Sequence, residues 1–391
     1  MATKNISSLY VRLRALCVFR ALLDEPLLRA FSRFAATTER IDAYSDFVFE
    51  IYREGGDLTA FVKRLVFENE NVYVTARAMD RAIEPHIEAS VERELETLSD
   101  FASLTPADFS ELLGDAAVAG FASEKIDLSA EYHERVADIH RYGYGIFASH
   151  GMFRLSDSGE RRIEPITSAD EIGMETFIGY GEQREMVVQN TKAFVSGKPA
   201  ANVLLYGDAG TGKSSTVKAV ANQFYGEGVR LIEIRKDQMS LLPFVMEKIN
   251  HNPLKFIIFI DDLSFNRNDD TFSMLKAALE GSASAKASNA VIYATSNRRH
   301  IVRECFDERE GSDIHRNDTM QELLSLSARF GLSIRYEKPN KALYLEIVRE
   351  LARKKGVVKD TAQLEIEAEA FALNRGHRSP RCAEQFIDSL L

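Results

Sequence analysis

The residues whose types and spacing most clearly predict chemistry form the segment Gly207-Asp208-Ala209-Gly210-Thr211-Gly212-Lys213-Ser214. This segment fits the phosphate-binding pattern G-x-x-x-x-G-K-[ST] at every fixed position. Its glycines allow positive φ and close approach to a ligand, so that loop N–H groups converge on phosphate oxygens. In such a loop Lys213 holds the β- and γ-phosphates and the Ser214 hydroxyl binds Mg²⁺. The segment therefore predicts a nucleotide site that also binds Mg²⁺.

The sequence on either side of the loop favours this prediction over a chance match. Val203–Tyr206 is an apolar run typical of a buried strand, and the residues from Ser215 to Asn222 predict a helix. A strand, a glycine-rich loop and a helix in this order bring the positive end of the helix to the phosphates. The predicted nucleotide contacts here are Gly207, Asp208, Ala209, Gly210, Thr211, Gly212, Lys213, Ser214 and Ser215.

Two acidic residues, Asp261 and Asp262, follow a second apolar run, Phe256–Ile260. Such runs are typical of parallel sheets covered on both faces, and the C-terminal ends of their strands lie where ligands bind. We predict that Asp261 binds Mg²⁺ opposite Ser214, directly or through water, and that Asp262 orients or deprotonates the attacking water. The alternative, a strand that simply ends in a turn, does not account for the position of this run after a phosphate loop.

A polar amide and a basic cluster follow a further predicted strand, Ala290–Thr295. Asn297 is predicted to contact the γ-phosphate and the attacking water. The next residues, Arg298, Arg299 and His300, either face the nucleotide, a neighbouring subunit or a DNA-lined pore, or form a solvated, ion-paired loop. The sequence leaves these alternatives open, so the three residues stay outside the predicted catalytic set.

The remaining sequence predicts two kinds of domain. Apolar residues recur at helical spacing from Leu9 to about His150, and Val72–Thr97 is expected to be one of the helices there. Strands and helices alternate further along, which predicts an α/β fold. The predicted divisions are a helical N-terminal accessory domain (1–150), a connector (151–171), an α/β nucleotide-binding core (172–338) and a C-terminal helical lid (339–391).

The composition narrows the class of protein. The chain has 391 residues, of which 45% are hydrophobic and 28% charged, as is usual for a soluble globular protein. Its net charge of −10 disfavours non-specific wrapping of nucleic acid but leaves a local basic pore or patch open. Three dispersed cysteines predict neither a disulfide nor a zinc site. No secretory signal or membrane span is evident, which predicts a cytoplasmic protein with no membrane contact.

The order of these motifs resembles that of the AAA+ ATPases. In this comparison Gly207–Ser214 resembles the Walker A motif, Ile257–Asp262 the Walker B motif and Asn297 the sensor 1 residue. From Ile172 to Leu391 the chain also resembles an uncharacterised bacterial AAA+ family, domain of unknown function 815, in its segments FIDDLSF, ATSNRRH and ARFGL. The resemblance implies ATP and Mg²⁺ as ligands, and a five-stranded parallel sheet flanked by helices with a small helical lid.

The same resemblance implies roles for residues outside the phosphate loop. Arg329 matches an arginine finger, which acts on the nucleotide of a neighbouring chain and so implies a homo-oligomer. Arg381, in Ser379-Pro380-Arg381, matches the sensor 2 residue, with Arg378 as the second candidate. The segment Ile178, Gly179 and Tyr180 resembles the one that lies against adenine.

The function implied is an ATPase that drives remodelling or loading of an unidentified protein or nucleic-acid partner. An alternative is a slow ATP-dependent switch or scaffold whose helical N-terminal domain binds a partner protein. A small-molecule kinase is disfavoured because no acceptor-binding domain is evident. Most AAA+ proteins carry Asp-Glu where this chain has Asp261-Asp262, and the shorter carboxylate predicts slow hydrolysis.

Overall fold

The computed structural model describes residues 6–114, 119–157, 162–167, 173–263, 275, 279, 288–297 and 329–391. The chain divides into two compact units, Met1–Ser149 with His251–Pro253, and His150–Asn250 with Leu254–Leu391. The basic cluster of Arg298, Arg299 and His300 lies outside the described residues. Within the described ranges, no helix combines the length and the apolar character needed to cross a membrane.

The first unit is built mainly from helices packed around an aromatic core. Buried rings meet edge to face, with the Phe31 and Phe101 centroids 5.0 Å apart and those of Phe34 and Phe109 5.1 Å apart. This geometry brings the positive ring edge to a negative ring face. The helices are α1 (Ile6–Arg14), α2 (Pro26–Ala36), α3 (Arg40–Arg53), α4 (Leu58–Glu68), α5 (Val72–Ala78), α6 (Pro85–Ala102), α7 (Ala107–Leu113), α8 (Leu128–Ala137) and α9 (Ile139–Tyr142).

One helix predicted for this unit is wrong. The chain forms two helices, α5 and α6, where a single helix over Val72–Thr97 was predicted. Asp80 has a left-handed φ of 50°, which is incompatible with a continuous right-handed helix. Pro85 then begins α6, at the position where its missing N–H costs no hydrogen bond. The apolar spacing continues across the break, so periodicity alone could not detect it.

The second unit contains a seven-stranded sheet in the order β2-β1-β4-β5-β6-β3-β7. The strands from β3 to β7 form the parallel core that the sequence predicted, in the order β4-β5-β6-β3-β7. Because β3 lies between β6 and β7, the loop after β3 is flanked by the C-terminal ends of both neighbours. The strands are β1 (Met152–Leu155), β2 (Ile163–Pro165), β3 (Val203–Gly207), β4 (Val229–Glu233), β5 (Lys255–Ile260), β6 (Ala290–Ser296) and β7 (Leu332–Tyr336).

The two additional strands correct the sequence prediction, which treated 151–171 as a connector and expected five strands. β1 pairs in parallel with β4, and β2 returns antiparallel to β1. Met152, Phe153 and Leu155 are buried, as expected for strand residues that extend the sheet core. Runs of four and three residues are too short to show a reliable alternation, and neighbouring polar residues predicted a loop.

The remaining helices cover the sheet and form the lid. Ser379 caps the last helix of the chain by accepting the Cys382 N–H at 3.1 Å, and Pro380 is the first residue of that helix. The lid has an apolar core of its own, to which Tyr344, Val348 and Phe386 contribute. The helices are α10 (Gly181–Val195), α11 (Lys213–Gln223), α12 (Leu242–Ile249), α13 (Lys341–Lys355), α14 (Thr361–Asn374) and α15 (Pro380–Asp388).

Candidate nucleotide-binding site

The phosphate loop joins β3 to α11 and is held closely against β7. Gly207, Gly210 and Gly212 have φ values of 132°, 72° and 89°, which side chains other than that of glycine rarely accept. A Cβ atom on Gly207 would lie 2.0 Å from the carbonyl oxygen of Tyr336. Gly207 is therefore required both by its own backbone conformation and by the neighbouring strand.

Lys213 is the buried cation of the loop, with 4% of its surface exposed. Its Nζ donates to the carbonyl oxygens of Asp208 at 2.7 Å and Gly207 at 3.3 Å. Burial lowers the pKa of Lys213, while the nearby carboxylates of Asp208, Asp261 and Asp262 act in the opposite direction. The ammonium group is thus desolvated and held by weak acceptors, which favours its interaction with a bound polyanion.

Two oxygen groups suited to Mg²⁺ meet beside the loop. The Ser214 hydroxyl donates to Asp261 Oδ1 at 2.6 Å, although the two residues lie on different elements. Within the described ranges, no group of three His, Cys, Asp or Glu side chains forms an all-protein metal cage. Mg²⁺ prefers hard oxygen ligands and is commonly held by one or two side chains together with phosphates and water. Ser214 and Asp261 therefore fit the metal that the phosphate loop implies.

Asp262 lies next to this pair in a left-handed conformation with a φ of 52°. Asn297, which directly follows β6, donates from Nδ2 to Asp262 Oδ1 at 2.9 Å. The structure thus brings together Asp262 and Asn297, the two residues predicted to act on the attacking water. Aspartate enters the left-handed region more readily than most residues, which gives a physical reason for aspartate at this position.

The segment predicted to lie against adenine runs between the sheet and the lid. The Tyr180 ring stacks on Tyr336 at 5.3 Å, and its hydroxyl donates to the Glu337 carbonyl at 2.6 Å. Burial raises the pKa of Tyr180, so this hydroxyl remains protonated. On the other side, a Cβ atom built on Gly179 would lie 2.9 Å from Leu343 Cδ1 of α13. Ile178 packs against the apolar core of the lid.

The two candidate sensor 2 arginines have different surroundings. The Arg381 N–H donates to the Gly210 carbonyl at 3.4 Å, which brings the start of α15 against the phosphate loop. Arg378 instead donates to both carboxylate oxygens of Glu369, at 2.8 and 2.7 Å. The structure therefore brings Arg381, rather than Arg378, next to the loop.

Arg329 is not brought to the phosphate loop of its own chain. In the pairing of β7 with β3, Leu332 lies opposite Val203 and Tyr336 opposite Gly207. Arg329 precedes Leu332, so its backbone lies toward the end of the sheet remote from the loop. A five-residue strand spans about 16 Å, which separates the two positions.

The sequence prediction missed two polar connections within the site. Thr295 Oγ1 lies within hydrogen-bond distance of both Asp261 and the Asp262 N–H. Asp208 accepts the Lys338 N–H at 2.9 Å through its Oδ2 atom. Both depend on strands that are neighbours in space but distant in sequence, and a lone Thr at the end of an apolar strand gives no signal of its own.

Comparison with known proteins identifies a family model and proteins with similar sequences. The family model described as Protein of unknown function (DUF815) matches residues 148–391. The ORC1-type DNA replication protein 5 of Halobacterium salinarum is 46% identical over 61 residues, which are 16% of this chain and 14% of that protein.

Solved structures give a more distant likeness. The Thermotoga maritima RuvB Holliday junction branch migration motor is 16% identical, with a TM-score of 0.37, over 55% of this chain and 63% of that chain. A mutant form of the same Thermotoga maritima protein is 15% identical, with a TM-score of 0.38, over 55% of this chain and 64% of that chain. The chain thus spans less than two thirds of the length of the ORC1-type and RuvB proteins. Because the family match covers more than half of the chain, the protein belongs to the DUF815 family, and its second unit has an α/β fold built on a parallel sheet.

Proposed function

We propose that this protein is a Mg²⁺-dependent ATPase that hydrolyses ATP to ADP and phosphate. The observation that carries the proposal is the convergence of three groups at one edge of the parallel sheet. These are the Lys213 ammonium, the Ser214–Asp261 pair and the Asp262–Asn297 pair. Together they can bind the phosphates, hold a metal ion and direct a water molecule, which are the requirements of phosphoryl transfer to water.

Each side chain then has a distinct task. Lys213 and the loop N–H groups bind the β- and γ-phosphates, and Ser214 and Asp261 hold Mg²⁺. The metal, when bound, neutralises charge on the phosphate oxygens. Asp262 accepts a proton from the attacking water or orients it, and the Asn297 amide fixes the Asp262 carboxylate in that task.

The adenine and lid contacts complete the proposed site. We assign Ile178, Gly179 and Tyr180 to the adenine, since this segment lies between the sheet and the lid. We assign Arg381 to the γ-phosphate, because its backbone contacts the loop at Gly210. Arg378 is disfavoured for that role, because its bidentate ion pair with Glu369 would have to break.

Phosphate release from ATP by the purified full chain, with Mg²⁺ or with EDTA, tests the proposal. Lys213→Met should abolish ATP binding, whereas Asp262→Asn should keep binding and lower turnover by at least about 100-fold. Lys218→Met is a matched control, because Lys218 lies on the same helix but pairs with Glu233 at 3.0 Å. Hydrolysis that persists in Lys213→Met would contradict the assignment.

The work done by this hydrolysis is, in our proposal, the remodelling or loading of a macromolecular partner by a homo-oligomer. Arg329 would act on the nucleotide of the next copy, since it lies away from its own loop. A finger that acts in trans requires head-to-tail packing, and hence a ring or a helical filament.

A second candidate function, an ATP-dependent switch or scaffold, draws on the N-terminal unit. Residues 1–149 contain 25 acidic and 16 basic side chains, a net charge of −9. Several of its arginines are ion-paired within the unit, including Arg12 with Asp100 and Arg77 with Glu88. Ile41, Phe49 and Tyr52 of α3 are exposed by 52%, 59% and 52%. These features favour a protein partner with a basic, apolar face over nucleic acid.

Pull-down with ATP-loaded Asp262→Asn tests this second candidate. We expect capture of a partner only with ATP, and its loss in high salt and in an added Phe49→Asp substitution. Val72→Asp is a matched control, because Val72 is also exposed, by 62%, but lies on α5. Capture that is independent of ATP would exclude a switch, and capture unaffected by Phe49→Asp would exclude α3 as the contact.

A further inference from the structure

Thr295 connects the two acidic residues of the site through a single hydroxyl group. It lies near the end of β6 and is 2% exposed. Its Oγ1 donates to Asp261 Oδ1 at 2.5 Å and accepts the Asp262 N–H at 3.0 Å. A threonine hydroxyl can donate one hydrogen bond and accept others, so here it acts as a donor to Asp261 and as an acceptor from Asp262.

A third contact fixes the same turn through the backbone. The Leu263 N–H donates to the Thr295 carbonyl at 2.7 Å. The regular pairing of β5 with β6 ends one step earlier, at Ile260 opposite Ala294. Thr295 therefore holds the three residues that follow β5, at the point where the chain enters the left-handed conformation of Asp262.

The contacts differ in what they control. The hydroxyl hydrogen bond to Asp261 orients a carboxylate that also accepts from Ser214 at 2.6 Å. The accepted Asp262 N–H stabilises a backbone conformation that is unfavourable for most non-glycine residues. That conformation directs the Asp262 carboxylate to Asn297. One hydroxyl thus fixes the side chain of one acid and the backbone of the next.

We propose that Thr295 is a positioning residue that sets the metal-holding carboxylate of Asp261 and the water-directing carboxylate of Asp262 together. The inference rests on the proposed ATPase function and extends it to a residue outside the phosphate loop and the acid pair. Partners that orient a metal ligand commonly change metal affinity by 10- to 100-fold when removed, roughly the range expected here.

Two substitutions separate the hydroxyl from the rest of the side chain. Thr295→Val keeps the shape and the Leu263 hydrogen bond to the backbone but removes both hydroxyl contacts. Thr295→Ser keeps the hydroxyl and removes the methyl group. Thr191→Val is the matched control, because Thr191 is fully buried and its hydroxyl bonds Tyr293 at 2.7 Å, outside the proposed site.

Two readouts are measured on the full chain. The first is the thermal stabilisation by ADP as a function of Mg²⁺ concentration, with ADP in EDTA as the baseline. The second is the Mg²⁺ concentration that gives half-maximal ATP turnover, together with the maximal rate. For Thr295→Val we expect both Mg²⁺ requirements to rise by about 10-fold or more and the maximal rate to fall, with unchanged ADP binding in EDTA. Thr295→Ser should remain within about 3-fold of the native protein.

Several outcomes would overturn the inference. Thr295→Val with the Mg²⁺ requirement of the native protein and of Thr191→Val would show that the hydroxyl positions nothing. Thr295→Ser as impaired as Thr295→Val would assign the effect to methyl packing. A native protein that binds no nucleotide at any Mg²⁺ concentration would reject the proposed function itself, and the inference with it. If the native protein binds nucleotide, an unaffected Thr295→Val variant rejects only the role of Thr295 and leaves the proposed ATPase function intact.

Discussion

Asp262 combines a left-handed backbone conformation with an exposed side chain, to which we assign the proposed task of directing the attacking water. Its φ of 52° lies in the left-handed region, and its carboxylate accepts from Asn297 at 2.9 Å. Glutamate would lose part of the local preference that aspartate has for this region. Its longer side chain would, however, extend the carboxylate toward the expected position of the attacking water. If Asp262 has the proposed role, the choice between aspartate and glutamate here sets backbone preference against the reach of the carboxylate.

We predict that Asp262→Glu hydrolyses ATP faster than the native protein, by roughly 10-fold, because the carboxylate then reaches the water directly. Steady-state phosphate release at saturating ATP and Mg²⁺ measures the effect. The variant should also unfold more easily, by up to about 1 kcal/mol, because of its left-handed conformation. Asp262→Asn, which is inactive in this scheme, is the reference. An unchanged or lower rate in Asp262→Glu would refute the idea that the short carboxylate limits turnover.

At the scale of elements, the phosphate loop is joined to the segment that begins the lid. Asp208 accepts the Lys338 N–H at 2.9 Å, and Tyr180 donates to the Glu337 carbonyl at 2.6 Å. Both partners lie between the end of β7 and the start of α13. The loop also contacts the start of α15 through Gly210. The loop itself thus contacts the lid segment at two places, through Asp208 and through Gly210. A change in loop conformation on nucleotide binding would be transmitted to the lid through both contacts.

We expect Asp208→Ala to lower the free energy of unfolding by about 1 kcal/mol, because the Lys338 N–H loses a charged acceptor at a solvent-exposed position. ATP affinity should fall as well, since the lid start is then less well fixed against the loop. Denaturant unfolding and fluorescent ATP titration measure the two effects. Asp208→Asn keeps an acceptor oxygen and should recover most of both. If Asp208→Ala matched the native protein in both measurements, the hydrogen bond between Asp208 and Lys338 would contribute neither to stability nor to ATP affinity.

At the scale of the whole molecule, the proposed role of Arg329 would make activity depend on more than one chain. It lies toward the end of the sheet opposite the phosphate loop, as the register of β7 with β3 requires. If it acts in trans, Arg329→Ala should bind ATP normally and lose most of its turnover, by about 1,000-fold or more.

Mixing two inactive variants provides a sharper test of the oligomer. Asp262→Asn retains a native Arg329, and Arg329→Ala retains a native Asp262. A mixed assembly therefore contains some interfaces in which both are native. Equal mixing should restore about a quarter of the native activity if subunits combine at random in a head-to-tail ring. Fully active Arg329→Ala would reject the finger, and no recovery in mixtures shown to contain both chains would reject its action in trans.

The sequence by itself determined the features that depend on consecutive residues. The loop Gly207–Ser214, the strand before it and the helix after it follow from local patterns, and the structure confirms these elements. The apolar runs that end in Asp261 and Asn297 likewise predicted two parallel strands whose C-terminal ends meet at one edge. Features that depend on consecutive residues can be predicted from the sequence, because residue spacing and hydrophobic pattern are local properties of the chain.

Only the tertiary structure decided the features that depend on neighbouring strands. Glycine at position 207 is required by the Tyr336 carbonyl of β7 as well as by its own φ. Thr295 contacts Asp261 and Asp262 because β5 and β6 are adjacent. The short strand β1 forms because it pairs in parallel with β4. Such contacts have no fixed spacing in sequence, since they arise when the sheet order brings distant residues within hydrogen-bond distance.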